Sequence, residues 1–124
     1  MTGNEYQQLA MRTNDGLNRL RLEDAIANQD DILVSQLING CLGLTGEAGE
    51  VSDLVKKGVF HEKGIDLEHL KKELGDCAWY LAMICDACGF TLDDVMQTNI
   101  DKLKARYPKG FDTYRANSRA EGDI

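Results

Sequence analysis

Two four-residue stretches carry the residues most able to do chemistry: "EAGE" at 47–50 and "ELGD" at 73–76. Each sets two carboxylates three residues apart, which on a helix turning about 100° per residue puts both on one face. Glu47 and Glu50 point, on average, roughly a quarter turn from the apolar stripe of Leu44, Val51 and Val55. Glu73 and Asp76 stand in the same relation to Leu74, Cys77 and Leu81. An isolated ExxE on a helix is usually a solvated face. Two such pairs beside two apolar stripes are rarer, and antiparallel packing of the two helices would bring four carboxylates to the rim of one core. Like charges at low dielectric repel, so the cluster requires cations or raised pKa values. A divalent metal meets that requirement. With oxygen ligands alone and no His or Cys at the i+3 or i+4 positions, hard ions such as Mg²⁺, with Mn²⁺ as a substitute, are favoured over Zn²⁺. Di-iron bundles want Glu-x-x-His on two helices, whereas the second positions here are Glu50 and Asp76.

The elements that must position these acids are helical. Thr2 and Glu5 form a capping box for a first helix over "NEYQQLAMR", ending near "TNDG". Residues 14–29 read as a loop with, at most, a short helix over "RLEDAI". Asp30 or Asp31 is expected to cap a helix running to about Phe60 through Leu33, Leu37, Cys41, Leu44, Ala48, Val51 and Val55. A turn at "HEKGI" precedes a helix capped by Asp66, with Leu67, Leu70, Leu74, Cys77, Leu81, Ile84 and Cys88 in register and Gly89 as its stop. Thr91 and Asp94 open a fourth helix that Pro108 ends, followed by a tail at about 112–124. No segment alternates as a strand does. The expectation is one all-α domain over 1–124, a four-helix-bundle-like arrangement.

Composition narrows the function. The chain has 124 residues, 43% of them hydrophobic, and a formal charge of −7, so it gives no basic footprint for nucleic acid. It has no 18-residue apolar run and no signal-peptide pattern at its start, from which neither membrane nor export is expected and the cytoplasm is. Cys41, Cys77, Cys85 and Cys88 read as small buried hydrophobes, since "CDAC" has no second CxxC. His61 and His69 are expected to be exposed and unpaired. Gly40, Gly43, Gly46, Gly49 and Gly75 each cost a helix about 0.8–1 kcal/mol relative to alanine. Close approach of a neighbour would offset that, and Gly46 and Gly49, facing away from the stripe, suggest a dimer contact.

"LGLTGEAGEVSDLVKK", "KKELGDCAWYLAMICDACGFTLDDVMQTNIDKLKARYP" and the "NEYQQLAMRT" start together resemble the MazG-like nucleotide pyrophosphohydrolases of the all-α NTP pyrophosphatase superfamily, over about residues 4–111. The resemblance implies that Glu47, Glu50, Glu73 and Asp76 bind Mg²⁺. It implies hydrolysis of a nucleoside triphosphate between the α and β phosphates, giving a monophosphate and pyrophosphate, for nucleotide-pool sanitation. It also implies a MazG fold completed by homo-oligomerisation, as a homodimer or homotetramer.

Within that reading Glu47 or Glu50 is the candidate general base. Asn99, Lys102 and Arg106 share a helix face and offer donors for phosphate, as does Lys57, while Tyr80 is placed to stack on a base or sugar and Trp79 lies about 100° round from it. A core or interface position is the competing reading of both aromatics. The alternatives in function are a non-catalytic helical module that binds metal structurally, a phosphoribosyl-nucleotide pyrophosphohydrolase and a carboxylate-bridged redox protein.

Overall fold

The computed structural model describes all residues, 1–124, and every regular element in it is a helix. In chain order these are α1 (Gly3–Met11), α2 (Asn18–Asn28), α3 (Val34–Phe60), α4 (Leu67–Cys88), α5 (Leu92–Arg106) and α6 (Thr113–Asn117). The all-α class expected from the sequence is the class observed.

Local chemistry sets most helix ends. Thr2 and Glu5 form the reciprocal capping box of α1, Asp66 accepts from the His69 amide at the start of α4, and Thr91 accepts from the Asp94 amide at the start of α5. Gly89, at φ 73°, closes α4 in the left-handed conformation that only glycine adopts without strain. Two expectations fail. Residues 18–28 form a full helix, α2, because Leu, Arg, Glu and Ala favour helix there and Arg19 pairs with Glu23 one turn on. Neither Asp30 nor Asp31 caps α3, which starts at Val34 with no side-chain cap. Its N-terminus is held by tertiary contacts instead. The Leu33 amide donates to the Ala87 carbonyl at 2.9 Å, and Gln36 Nε2 donates to the Met83 carbonyl at 3.2 Å and to Asp86 Oδ2 at 2.6 Å.

α3 and α4 form the one extensive interface, with α2 touching α3 and α5 touching α4 only lightly. The pair is antiparallel. Gly40 meets Ile84, Gly43 meets Tyr80 and, beyond the far end, Gly58 meets Gly64 and Ile65. At Gly43 a Cβ would lie 2.1 Å from the Tyr80 ring, so the ring sits where a side chain would have been. At Gly58 it would meet the Gly64 carbonyl oxygen at 2.9 Å. Gly46, Gly49 and Gly75 have open space around them.

The seam between the helices keeps only part of the stripe read from the sequence. Leu67, Leu74 and Leu81 of that stripe are exposed, whereas its Leu70, Cys77, Ile84 and Cys88 are part-buried, joined by Glu73, Tyr80 and Met83. By helical angle this seam lies about a quarter turn from Leu67, Leu74 and Leu81. The reading of four buried cysteines is corrected with it: only Cys85 is buried, Cys41 is exposed and the other two are intermediate. The chain exposes 10,118 Å². A compact monomer of its mass would expose about 6,600 Å². Large apolar side chains are among the exposed residues, including Leu42, Phe60, Leu67, Trp79 and Leu81.

The glycines give a test. Gly43→Ala is expected to lower stability by about 1–3 kcal/mol, because the Tyr80 ring must move. Gly46→Ala, with open space, is expected to raise it by about 0.5–1 kcal/mol. Urea midpoints of the two variants against wild type check both signs. A destabilised Gly46→Ala would mean that a neighbour outside the chain fills that space.

Candidate metal centre and adjoining groove

Glu47 lies on the seam face of α3, one turn from Gly43 and Val51, and Glu73 lies on the seam face of α4, one turn from Leu70 and Cys77. Antiparallel packing therefore sets them against each other, with Asp76 one turn further along α4. One carboxylate oxygen from each of Glu47, Glu73 and Asp76 falls within 4.8 Å of the others. Glu47 and Glu73 are half-buried and Asp76 is exposed. Glu50, one turn along α3, is exposed and lies outside this trio, yet its charge is felt at Glu47.

The electrostatics follow from that crowding. Partial burial pushes the Glu47 carboxyl above its ordinary value, and the negative charges of Asp76, Glu73 and Glu50 push it the same way, as does a shared hydrogen bond with Glu73. Three converging oxygen ligands with no sulfur or nitrogen between them suit a hard divalent cation of the Mg²⁺ or Mn²⁺ kind.

A groove of about 330 Å³ opens beside the acids, lined among others by Glu50, Asp53, Lys57, Lys63, His69 and Glu73. Lys57 is there as expected, but it is paired with Asp53 at 2.5 Å. Their mutual attraction lowers the Asp53 pKa and raises that of Lys57. Lys63 adds a second cation to the groove.

The expectation that His69 is unpaired is corrected: it is exposed, but its Nε2 donates to Glu73 Oε1 at 2.7 Å. The signal was in the sequence, since residues four apart on a helix are neighbours. Tyr80 packs its ring over Gly43 and edge-on to Trp79, with ring centroids 5.0 Å apart. Its face is thus covered by α3, while Trp79 is exposed. Lys102 and Arg106 do not reach the acid groove within one chain. They line a separate cavity with the C-terminal residues, where Arg106 is bound to Asp123, and the two cavities share no residue. Asn99 lines neither cavity.

The site is an acid-lined seam in an all-helical pair, and comparison with known proteins gives the family. The MazG nucleotide pyrophosphohydrolase domain matches residues 39–111, more than half of the chain and the whole of the α3–α4 pair from Asn39 onward. The chain belongs to the MazG nucleotide pyrophosphohydrolase family. It is similar to the Gene 37 protein of Mycobacterium phage L5, at 37% identity over 73 residues, which are 56% of this chain and 64% of that protein. The likeness thus spans less than two thirds of that relative. No solved structure matches the chain. No helix is long and apolar enough to cross a membrane.

The raised Glu47 pKa makes a signed prediction. A carboxyl that gains proton affinity on folding binds more protons in the folded state than in the unfolded state. From its ordinary value of 4.5 up to the raised one, stability therefore falls as pH rises. In chelator-treated protein, Glu47→Gln is expected to be more stable than wild type at neutral pH, with the gap closing as pH falls through that window. Urea midpoints across the range check it, and a gap independent of pH would contradict it.

Proposed function

We infer that this chain is a divalent-metal-dependent nucleoside triphosphate pyrophosphohydrolase, cleaving between the α and β phosphates to release pyrophosphate. The observation that carries this reading is the convergence of Glu47, Glu73 and Asp76 across the α3–α4 seam, in a chain whose family acts on nucleotide pyrophosphate bonds. Mg²⁺, with Mn²⁺ as substitute, is the ion the three carboxylates would hold. Such an ion supplies Lewis-acid polarisation of a phosphate and neutralises charge on the departing pyrophosphate.

The chain's own residues then divide the remaining work. Of the two candidate bases, Glu50 is the better placed, since it lies outside the trio and faces the groove, where it can take the proton from the attacking water. Glu47 belongs with the ligands. Lys57 and Lys63, on the same groove, meet the phosphates, with Lys57 exchanging Asp53 for the substrate. His69 holds Glu73 in its ligating orientation, as hydrogen bonds to ligating carboxylates do. Trp79 is the open aromatic face for a base.

The reading includes assembly as a homodimer or homotetramer that covers Leu67, Leu74 and Leu81. The excess exposed surface, more than 3,000 Å² over a compact monomer by the scaling above, supports it. Sedimentation of Leu74→Asp/Leu81→Asp protein is expected to show monomer where wild type does not. A monomeric wild type would overturn the assembly.

The activity is tested by pyrophosphate release from a panel of canonical and modified ribo- and deoxyribonucleotides, with phosphoribosyl-nucleotides included. Glu50→Gln is expected to lower kcat by about 10²–10⁴ while leaving Mg²⁺ affinity nearly unchanged. Asp76→Asn is expected to weaken Mg²⁺ binding by at least about 10-fold. Orthophosphate in place of pyrophosphate would refute the bond specificity. Metal binding with no turnover of any nucleotide would leave a structural module.

A further inference from the structure

One residue of the chain other than glycine takes a positive φ: Glu62, at 56°, in the turn that joins α3 to α4. Left-handed backbone is disfavoured by about 10-fold for a residue that carries a Cβ, and the Glu62 side chain is exposed, so its own packing does not offset that cost. The surroundings impose the conformation. At one end of the turn the His61 amide donates to the Lys57 carbonyl at 3.1 Å and the Gly64 amide to the Gly58 carbonyl at 3.0 Å. The approach there is so close that a Cβ on Gly58 would meet the Gly64 carbonyl oxygen at 2.9 Å. At the other end Asp66 is fixed as the cap of α4, accepting from the His69 amide. Held on both sides, the residues between cannot relax into an unstrained path.

Lys63 follows directly and lines the groove beside the acid trio. Of the two lysines on that groove, Lys57 is tied to Asp53, whereas Lys63 forms no ion pair. We propose that Glu62 is a positioning residue, whose left-handed backbone aims the free ammonium of Lys63 into the groove to meet the phosphate chain of the substrate. A right-handed or extended residue at 62 would send the chain, and Lys63 with it, in another direction. A lysine's flexible four-carbon stem loses freedom when it grips a ligand, and a fixed backbone root keeps that loss small. The role belongs to the backbone of Glu62 and not to its carboxylate.

The inference rests on the functional reading of the groove and adds what places its free cation. The full chain, loaded with Mg²⁺, is titrated calorimetrically with inorganic tripolyphosphate, which has the phosphate chain and no base. Lys63→Ala is expected to weaken binding by about 10-fold. Glu62→Val, whose branched Cβ resists positive φ, is expected to weaken it about as much, and the double variant no further. Glu62→Gly and Glu62→Asn, which accept that φ, are expected to bind within about 2-fold of wild type. A residue needed only to close the turn would give a loss in Glu62→Val that multiplies with that of Lys63→Ala, and this result overturns the proposal. So does a loss in Glu62→Gly equal to that in Glu62→Val. No binding by wild type overturns the functional reading as well, whereas wild-type binding that Glu62→Val leaves intact overturns this inference alone. Should Glu62→Val lose its helical circular dichroism, Gly64→Ala is read in its place, since Gly64 lies at φ 74° on the other side of Lys63 with open space at its Cβ position. A loss that Lys63→Ala makes no worse upholds the proposal, and unchanged affinity overturns it.

Discussion

The constraint on which the structure depends is the placement of like charges between two packed helices. Glu47 and Glu73 occupy seam positions that an ordinary helix pair would give to leucine, and Asp76 is close by. Their repulsion opposes the packing of α3 against α4. Contacts on both sides of the acids oppose it. Toward the start of α3, Gly40 and Gly43 let Ile84 and Tyr80 approach the helix backbone. Toward its end, Gly58 lets the 61–66 turn fold back against it. The glycines that cost helix propensity are, at these three positions, what allows the pair to close around its acids.

Turning the acids into the seam has a second effect. The helices have one apolar stripe each, and a seam centred on the acids lies to one side of it. Leu67, Leu74 and Leu81 of α4 are left at the surface, together with Leu42 and Phe60 of α3. A chain arranged in this way has only Cys85 and Ala87 as buried hydrophobic residues. So small a core cannot offset the conformational entropy of 124 ordered residues. The proposed assembly and the acid-lined seam are thus consequences of one rotation of α4 about its axis.

What was legible in the sequence was what short-range chemistry decides. The Thr2–Glu5 box, the Asp66 and Thr91 caps and the Gly89 stop depend on residues within a turn or two of each other, and all are found as read. That Glu47 faces Glu73 and Asp76 was legible because one short turn leaves two long helices little choice but to be antiparallel, whereas Glu50, expected to join them, lies outside the trio. The α3 start was not, since its donors go to Ala87, Met83 and Asp86, more than forty residues away. Which apolar positions face inward was not legible either, because period alone cannot say whether a stripe meets the same chain or another. The burial of the cysteines was misread for the same reason. The His69–Glu73 contact follows from helix spacing alone, since the carboxylate lies one turn away.

Charge explains why acids and cations sit apart in the single chain. Were Lys102 and Arg106 packed against Glu47 and Glu73, they would neutralise the carboxylates directly and compete with the ion that those oxygens suit. Instead α5 lies away from the α3–α4 groove and its arginine is satisfied by Asp123, while on the groove Lys57 is satisfied by Asp53. Both cations therefore carry a carboxylate that is not one of the trio. That separation leaves Glu47 with no cation of the chain to offset the partial burial and the charges of Asp76, Glu73 and Glu50 that raise its pKa.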